Sequence, residues 1–443
     1  MRTLNLRILA AIAVIVMAAG PIYAQPSGQF TPFQNFVVEV QTANPNNYVG
    51  QPGNLVRDAA AFEEMRQHIL NIYEGVAITH SYVLDSHTFD CVPVLEQPGV
   101  RLRGLGSIAS PPPANGSSGA PGGDTAIAGV NSQLPDDTSV DAFGNKLGCA
   151  EGTIPMWRIT LEDLARWATL QDFFHKSPGE SVPGSGVEPK VTATHKYSYT
   201  IQSVNNEGGN SSLNLWKPHV NTTSGEIFSL SQQWYVGGSG SGTQTAEVGW
   251  QNYPALWGSQ KSALFIYYTA DDYNKTGCYN LTCTAFVQTS SSWHFGVGFT
   301  NYSTVGGTQY EFTAQFKLYQ GNWWLFLGAS SSSLTAVGYY PGSVYNGGQM
   351  SVHAQVIEYG TEGVGTTVWP PEGSGRWPSK GFSYAAYQRD LFYIDTTGTS
   401  QWDSLTPEKP SPTCYKVSKP SYSSSSGWGI YFYEGGPGGT TCQ

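Results

Sequence analysis

Acidic residues are scarce in the second half of this 443-residue chain: from His195 to the C-terminus there are nine Glu and five Asp. Two of them have settings that could do chemistry. Glu247 lies in TAEVGWQNYP, flanked by Ala246, Val248 and Trp250, and Glu362 lies in IEYGTEGVG, where glycines allow close backbone approach. A carboxyl in apolar, aromatic surroundings resists ionisation and can act as a general acid. Taken singly, a strand Glu more often points to solvent, so neither residue is assigned by its own neighbours.

The residue sets of other chemistries are missing. No H-E-x-x-H, G-x-S-x-G, phosphate loop or dinucleotide fingerprint occurs, so no cofactor is expected. His195, His219, His294 and His353 are not in ligand spacing with one another, so no metal is expected either. A Ser-His-Asp triad needs no local signature, but nothing local supports one. Six cysteines in an exported chain read first as disulfides. Order alone allows fifteen pairings; proximity favours Cys278 with Cys283 and Cys414 with Cys442, leaving Cys91 with Cys149.

Export is read from the N-terminus. Arg2 and Arg7 precede an apolar run from Ile8 to Ala19, and a polar-aromatic stretch ends at Ala24. That layout predicts a secretory signal at 1–24, too short for a comfortable membrane span. The expected product is secreted and free of the membrane. Sequons at Asn115, Asn210, Asn221, Asn274, Asn280 and Asn301 would matter only in a glycosylating host.

The elements that must carry these residues are mostly strands. Only 12% of residues are charged and 13% are aromatic, with 52 Gly and 27 Pro. This excludes disorder and a coiled coil and suits short strands with tight turns. A formal charge of −10 argues against a nucleic-acid partner. So little titrating charge should also limit the stability lost in acid. In 310–319, Phe312, Ala314, Phe316 and Leu318 alternate with polar residues; in 293–300, Trp293, Phe295, Val297 and Phe299 do the same. Period two predicts strands with one buried face, and its recurrence after His195 predicts an all-β domain, an antiparallel two-sheet β-sandwich without a convincing helix.

A smaller mixed α+β segment precedes it. Residues 25–58 read as irregular, and Asp58 to Tyr73 as a helix with Phe62, Met65, Ile69 and Leu70 on one face. Tyr82 to Val92 is β-like. Thr160 and Asp163 resemble a capping box ahead of a stripe of Leu161, Leu164, Ala165 and Ala168. Pro/Gly/Ser-rich tracts at 107–140 and 176–194 read as linkers.

CAEGTIPMWR at 149, SLSQQW at 229, AEVGWQNYP at 246 and YTADDYNKTGCYNLTCTAFVQT from Tyr268 are strings that resemble those of the neprosin family of secreted peptidases. GNWWL at 321, VGYYP at 337, YGTEG at 359, GSGRWP at 373 and GWGIYFYEGGPGG at 427 follow in the family's order. The resemblance runs from His195 to the C-terminus and into part of the preceding segment. It implies a glutamic peptidase sandwich with a catalytic pair at Glu247 and Glu362. Thr361 and Gly363 stand where the family has glycine and valine, which makes Glu358 the fallback. Ala150 and Met156-Trp157 likewise depart from the family's Pro and Ile-Arg.

Paired carboxylates share a proton, so one can activate water while the other protonates the leaving nitrogen. That chemistry predicts an acidic optimum. Gln232 is an expected oxyanion donor, and Trp234 and Trp250 the expected walls for a prolyl ring. Cleavage after proline is implied by the resemblance alone. Residues 25–190 would be an activation segment covering the cleft, with 195–443 the catalytic domain and maturation in the second linker. The sequence leaves two rivals: a lectin-like or glycosidase-like sandwich, and a non-catalytic member of the family.

Overall fold

A computed structural model describes residues 30–113, 117–123, 127, 129–136, 138–176, 193–424 and 427–442. The expected signal at 1–24 and most of the 176–194 linker lie outside the described residues. Asp58 caps a helix as its spacing predicts, its carboxylate accepting from the Ala61 amide at 2.8 Å. The N-terminal segment holds helices α1 (Phe33–Thr42), α2 (Ala59–Tyr73), α3 (Pro98–Arg101), α4 (Leu161–Ala165) and α5 (Leu170–Phe174) and strands β1 (Ser81–Leu84), β2 (His87–Pro93), β3 (Val130–Ser132) and β4 (Thr153–Trp157). Strands β1, β2 and β4 make a three-stranded antiparallel sheet.

Helix α1 corrects the reading of 25–58 as irregular. Phe33, Phe36 and Val40 form its buried stripe, with the two rings 5.1 and 5.9 Å from Tyr73 of α2. Along α2, Phe62, Met65 and Ile69 are buried and Leu70 is half-buried. The capping box at Thr160 and Asp163 is present, but α4 stops before Ala168. Asp90 and Arg158 form a buried ion pair under these elements. Arg158 Nε donates to Asp90 Oδ2 at 2.8 Å, and the Tyr73 and Ser81 hydroxyls complete the carboxylate at 3.0 and 2.6 Å. Breaking a buried pair strands one charge, so Arg158→Met is expected to cost about 3–5 kcal/mol. Urea unfolding of the full chain measures it; a loss below about 1 kcal/mol, the scale of an exposed pair, would contradict this account.

Strands dominate the rest: β5 (Thr194–Asn206), β6 (Gly208–Asn214), β7 (Glu226–Gly237), β8 (Gln244–Asn252) and, after a short helix α6 (Pro254–Trp257), β9 (Ala263–Thr269) and β10 (Cys278–Tyr279). Next come β11 (Val287–Gln288), β12 (Gln309–Tyr319), β13 (Asn322–Gly328), β14 (Leu334–Pro341), β15 (Ala354–Gly365) and β16 (Ala386–Ile394). The chain closes with β17 (Ser400–Trp402), β18 (Thr406–Glu408), β19 (Lys416–Val417), β20 (Ser421–Ser423) and β21 (Gly429–Gly435). One sheet runs β10-β9-β8-β7-β15-β5-β18. The other runs β11-β14-β13-β12-β6-β16-β21-β19, with β17, β20 and β3 attached at its sides.

The sheets pack face to face through an unusually polar layer. Gln233 Nε2 donates to Ala314 O at 2.8 Å, Tyr235 OH to Gly209 O at 2.6 Å, and Ser231 Oγ to Glu434 Oε1 at 2.6 Å. Strand β12 forms where the alternation places it, yet Glu311, Thr313 and Gln315 on its polar face are buried too. Their cover includes the first Pro/Gly/Ser tract. Ser118 exchanges two hydrogen bonds with the Gln315 amide, and β3 pairs in parallel with β12. The alternation at 293–300 makes no strand; only an isolated bridge from Gly298 to Ala263 forms. All three disulfides follow the proximity pairing. Among the sequons, Asn210 and Asn280 are buried, whereas Asn221, Asn274 and Asn301 are exposed; Asn115 lies outside the described residues.

Candidate active site

Strand pairing decides which side chains share the outer face of the seven-stranded sheet. Trp234 on β7 is opposite Glu247 on β8 and Glu358 on β15, while Glu362 is two pairs further along β15, opposite Tyr197 on β5. Between the rows sits Gln232, flanked by Gly249 and Gly360. A side chain at Gly249 would meet Ser231 O at 2.1 Å, and one at Gly360 would meet Ser198 O at 2.4 Å, so both positions require the bare backbone. Two carboxylates on strands separated by β7 therefore lean over a floor without side chains on either side of one amide.

Both acids are almost fully buried, at 0% and 1% exposure for Glu247 and Glu362. They meet at one cation. Lys176 Nζ is 2.7 Å from Glu247 Oε2 and 3.0 Å from Glu362 Oε2, the second contact an ion pair not aligned as a hydrogen bond. Lys176 also donates to Gln232 Oε1 at 3.2 Å, and Gln232 Nε2 donates to Glu247 Oε2 at 2.9 Å. On its other oxygen Glu247 accepts from Tyr273 OH at 2.7 Å and Thr245 Oγ1 at 2.8 Å. Glu362 Oε1 is bound by His195 Nδ1.

Electrostatics follow from this arrangement. Burial opposes ionisation of Glu362, but the Lys176 ammonium and the His195 contact overcome it and draw the carboxyl down to about 2. Burial likewise opposes the Lys176 charge, and Glu247 and Glu362 hold its pKa above the ordinary lysine value. Burial and then the negative field of Glu247 push Glu358 up to about 7. Glu358 shares the face but is separated from Glu247 by the Trp234 position, and no ion pair joins it to Lys176. A cleft of about 340 Å³ opens here, lined by Lys176, His195, Tyr197, Trp234, Tyr273 and Glu362. Trp234 faces it, its ring 5.5 Å from the Lys176 nitrogen. Trp250 does not: it pairs with Ser231 on the inner face and donates to Asn214 O at 3.0 Å between the sheets. No cluster of metal-ligating side chains occurs among the described residues.

Residues 225–437 match the family model described as Neprosin. The chain carries a Neprosin domain. That makes it a peptidase and removes the lectin and glycosidase readings. Among solved structures, scytalido-glutamic peptidase with a transition state analog inhibitor is 10% identical, with a TM-score of 0.30 over 54% of this chain and 98% of that one. SCP-B, a member of the Eqolisin family of peptidases in complex with the tripeptide Ala-Ile-His, is 11% identical, with a TM-score of 0.27 over 55% and 98%. Such identities are too low for residue roles to pass from one chain to another.

Part of the N-terminal segment lies on the face of the Neprosin domain that carries the two acids, while Ser118 and β3 reach the other sheet. Trp167 packs on Tyr253 at 5.9 Å, Trp157 on Trp257 at 6.2 Å, and Asp85 pairs with Lys261. Tyr267 OH donates to Phe174 O at 3.3 Å at the end of α5, and two residues later Lys176 enters the cleft. Sequence reasoning missed Lys176, His195 and Tyr273 as neighbours of the pair. For His195 a signal was present, since HKYSYT alternates across from YGTEG in an antiparallel register. No helix among the described residues is long and apolar enough to cross a membrane.

Proposed function

We propose that the chain is the precursor of a secreted, acid-active glutamic endopeptidase that cleaves after proline, with Glu247 and Glu362 as its catalytic pair. The single observation that carries this reading is that both carboxylates hold the same Lys176 ammonium. Once that cation leaves, two acids this close share one proton. The ionised acid takes a proton from water as the water oxygen attacks the peptide carbonyl. The protonated acid polarises the carbonyl oxygen and then gives its proton to the nitrogen as the C–N bond breaks. Gln232 lies against Glu247 with an amide able to donate to the oxyanion. Trp234 offers a ring face to a prolyl side chain where the Lys176 stem now lies.

The same contacts support synthesis as a zymogen. Lys176 belongs to the N-terminal segment, and its occupation of the pair keeps both water and substrate away. Maturation is assigned to the 176–194 linker. The test is acid incubation of the full chain, N-terminal sequencing, and assay on a proline-containing peptide at about pH 3–5, the range of carboxylate pairs. Glu247→Gln and Glu362→Gln should each lose at least about 10²-fold in rate, the scale of a general acid or base. Wild-type rates in either variant would remove that residue from the pair.

A further inference from the structure

We propose that His195 is the positioning residue that makes Glu362 the base of the pair and leaves the shared proton on Glu247. The inference rests on the catalytic pair proposed above and assigns its two roles. His195 stands on β5 opposite Val364, so the pairing of β5 with β15 sets its ring beside Glu362. The ring stacks on Tyr197 at 6.0 Å and 20°, and meets Phe228 edge-on at 6.2 Å. Its Nδ1 is bonded to Glu362 Oε1. In acid an imidazole carries two N–H groups and a positive charge, and a charged donor favours the ionised form of its carboxylate.

The other groups facing Glu362 do not supply that charge after maturation. Lys176 departs with the N-terminal segment. Tyr197 is neutral, its hydroxyl driven well above the usual range by burial and then by the charges of Glu362 and Glu247. Glu372, behind β15 at Gly363, is also driven well up by burial and is neutral in acid. Glu358 lies four residues back on β15 and adds no positive charge. Glu247, across β7, keeps only the uncharged donors Gln232, Thr245 and Tyr273. One carboxyl of the pair keeps the imidazole beside it and the other only amide and hydroxyl donors, which makes Glu362 the base and Glu247 the acid.

The experiment measures kcat and KM against pH for the acid-matured full chain and for His195→Asn, which keeps an N–H donor without a charge. The acid limb of kcat should move up by about one pH unit or more, the scale of losing an adjacent opposite charge, while KM changes little. A uniform loss across all pH values with the limb unmoved would make His195 structural and overturn the assignment. If Asn is not tolerated in the fold, infrared difference spectra of wild type against Glu362→Gln at about pH 3.5, inside the carboxylate-pair range, decide the matter. An ionised carboxylate band supports the assignment, and a protonated carbonyl band overturns it. Full activity of Glu362→Gln is a separate outcome, one that refutes the pair itself.

Discussion

The unprocessed chain carrying Lys176→Met is expected to cleave a proline-containing peptide at least about 10²-fold faster than the unprocessed wild type. Methionine keeps an apolar stem against Trp234 and Tyr267 but removes the charge that both carboxylates hold. Breaking a buried ion pair costs about 3–5 kcal/mol, and about 1.4 kcal/mol is a factor of ten. Undocking of the 173–176 stretch would become correspondingly more frequent. The pH dependence has a definite sign. Burial resists the charge on Glu362, but Lys176 and His195 hold its pKa at about 2, below the ordinary glutamate value. Docking is therefore strongest above about pH 4.3, the unperturbed value, and weakens as the pH falls through about 2. The wild type should open progressively in acid, and the variant should be open already at pH 5. Initial rates with gels proving the chain intact are the measurement; silence of the variant until processing would mean that other contacts close the cleft.

Melting temperature is expected to be highest in acid and to fall as the pH rises through about 7–8. Among the buried carboxyls of the sheets are Glu372, Glu434 and Asp403. Burial raises Glu434 to about 7 despite bonds from Ser231 and Gln388, raises Asp403 to about 8, and raises Glu372 well above the ordinary value. Each holds a proton when folded that the unfolded chain releases above about pH 4. Their stabilisation is complete below that value and is lost as the pH rises through the folded values. At about 1.4 kcal/mol per unit, deprotonating Asp403 alone would cost on the order of 5 kcal/mol. Asp395 works the other way, since its bonds from Thr397 and the Thr399 amide hold it at about 2 and fail only in stronger acid. Calorimetry from pH 3 to 8 on wild type, Glu434→Gln and Asp403→Asn checks this: the variants should flatten the decline. A wild-type curve that rises with pH instead would remove the buried acids as the cause.

These buried acids sharpen what scarcity of charge means here. Composition predicted a fold that loses little in acid because it has little to titrate. The structure adds carboxyls that favour acid, and burial is a property no count of residues contains. Local pattern served well where one element decides the outcome. Asp58 and Thr160 cap their helices, and 310–319 forms a strand. It failed where partners are remote. The 293–300 alternation reads as a strand, but beyond the bridge at Gly298 no neighbouring strand is in register with it. The polar face of β12 is buried because Ser118 and β3 come from a tract that has no periodicity of its own.

The candidate site was half legible for the same reason. Glu247, Glu362 and Gln232 came from strings resembling a family, and the sheet register brings them together. Trp250 is near Glu247 in sequence but three positions along a strand, which turns it to the opposite face. Gly363, where the resemblance implies valine, is explained by its surroundings: a Cβ there would lie 2.3 Å from Tyr415 OH and 2.9 Å from Glu372 Oε1. Lys176 was hidden at the edge of a linker. Nothing in HKSPGE identifies a cation whose partners are about 70 and 190 residues away.

The three disulfides each close on one side of the 176–194 linker: Cys91 with Cys149 before it, Cys278 with Cys283 and Cys414 with Cys442 after it. A single backbone cut in that linker would therefore leave two separate molecules, with no covalent tie between them. On the proposed reading, an N-terminal piece in the same chain competes for the cleft intramolecularly, at an effective concentration independent of how dilute the protein is. After the cut its grip depends on bulk concentration, so dilution alone would drive release, and the freed piece added back in excess would act as a soluble inhibitor.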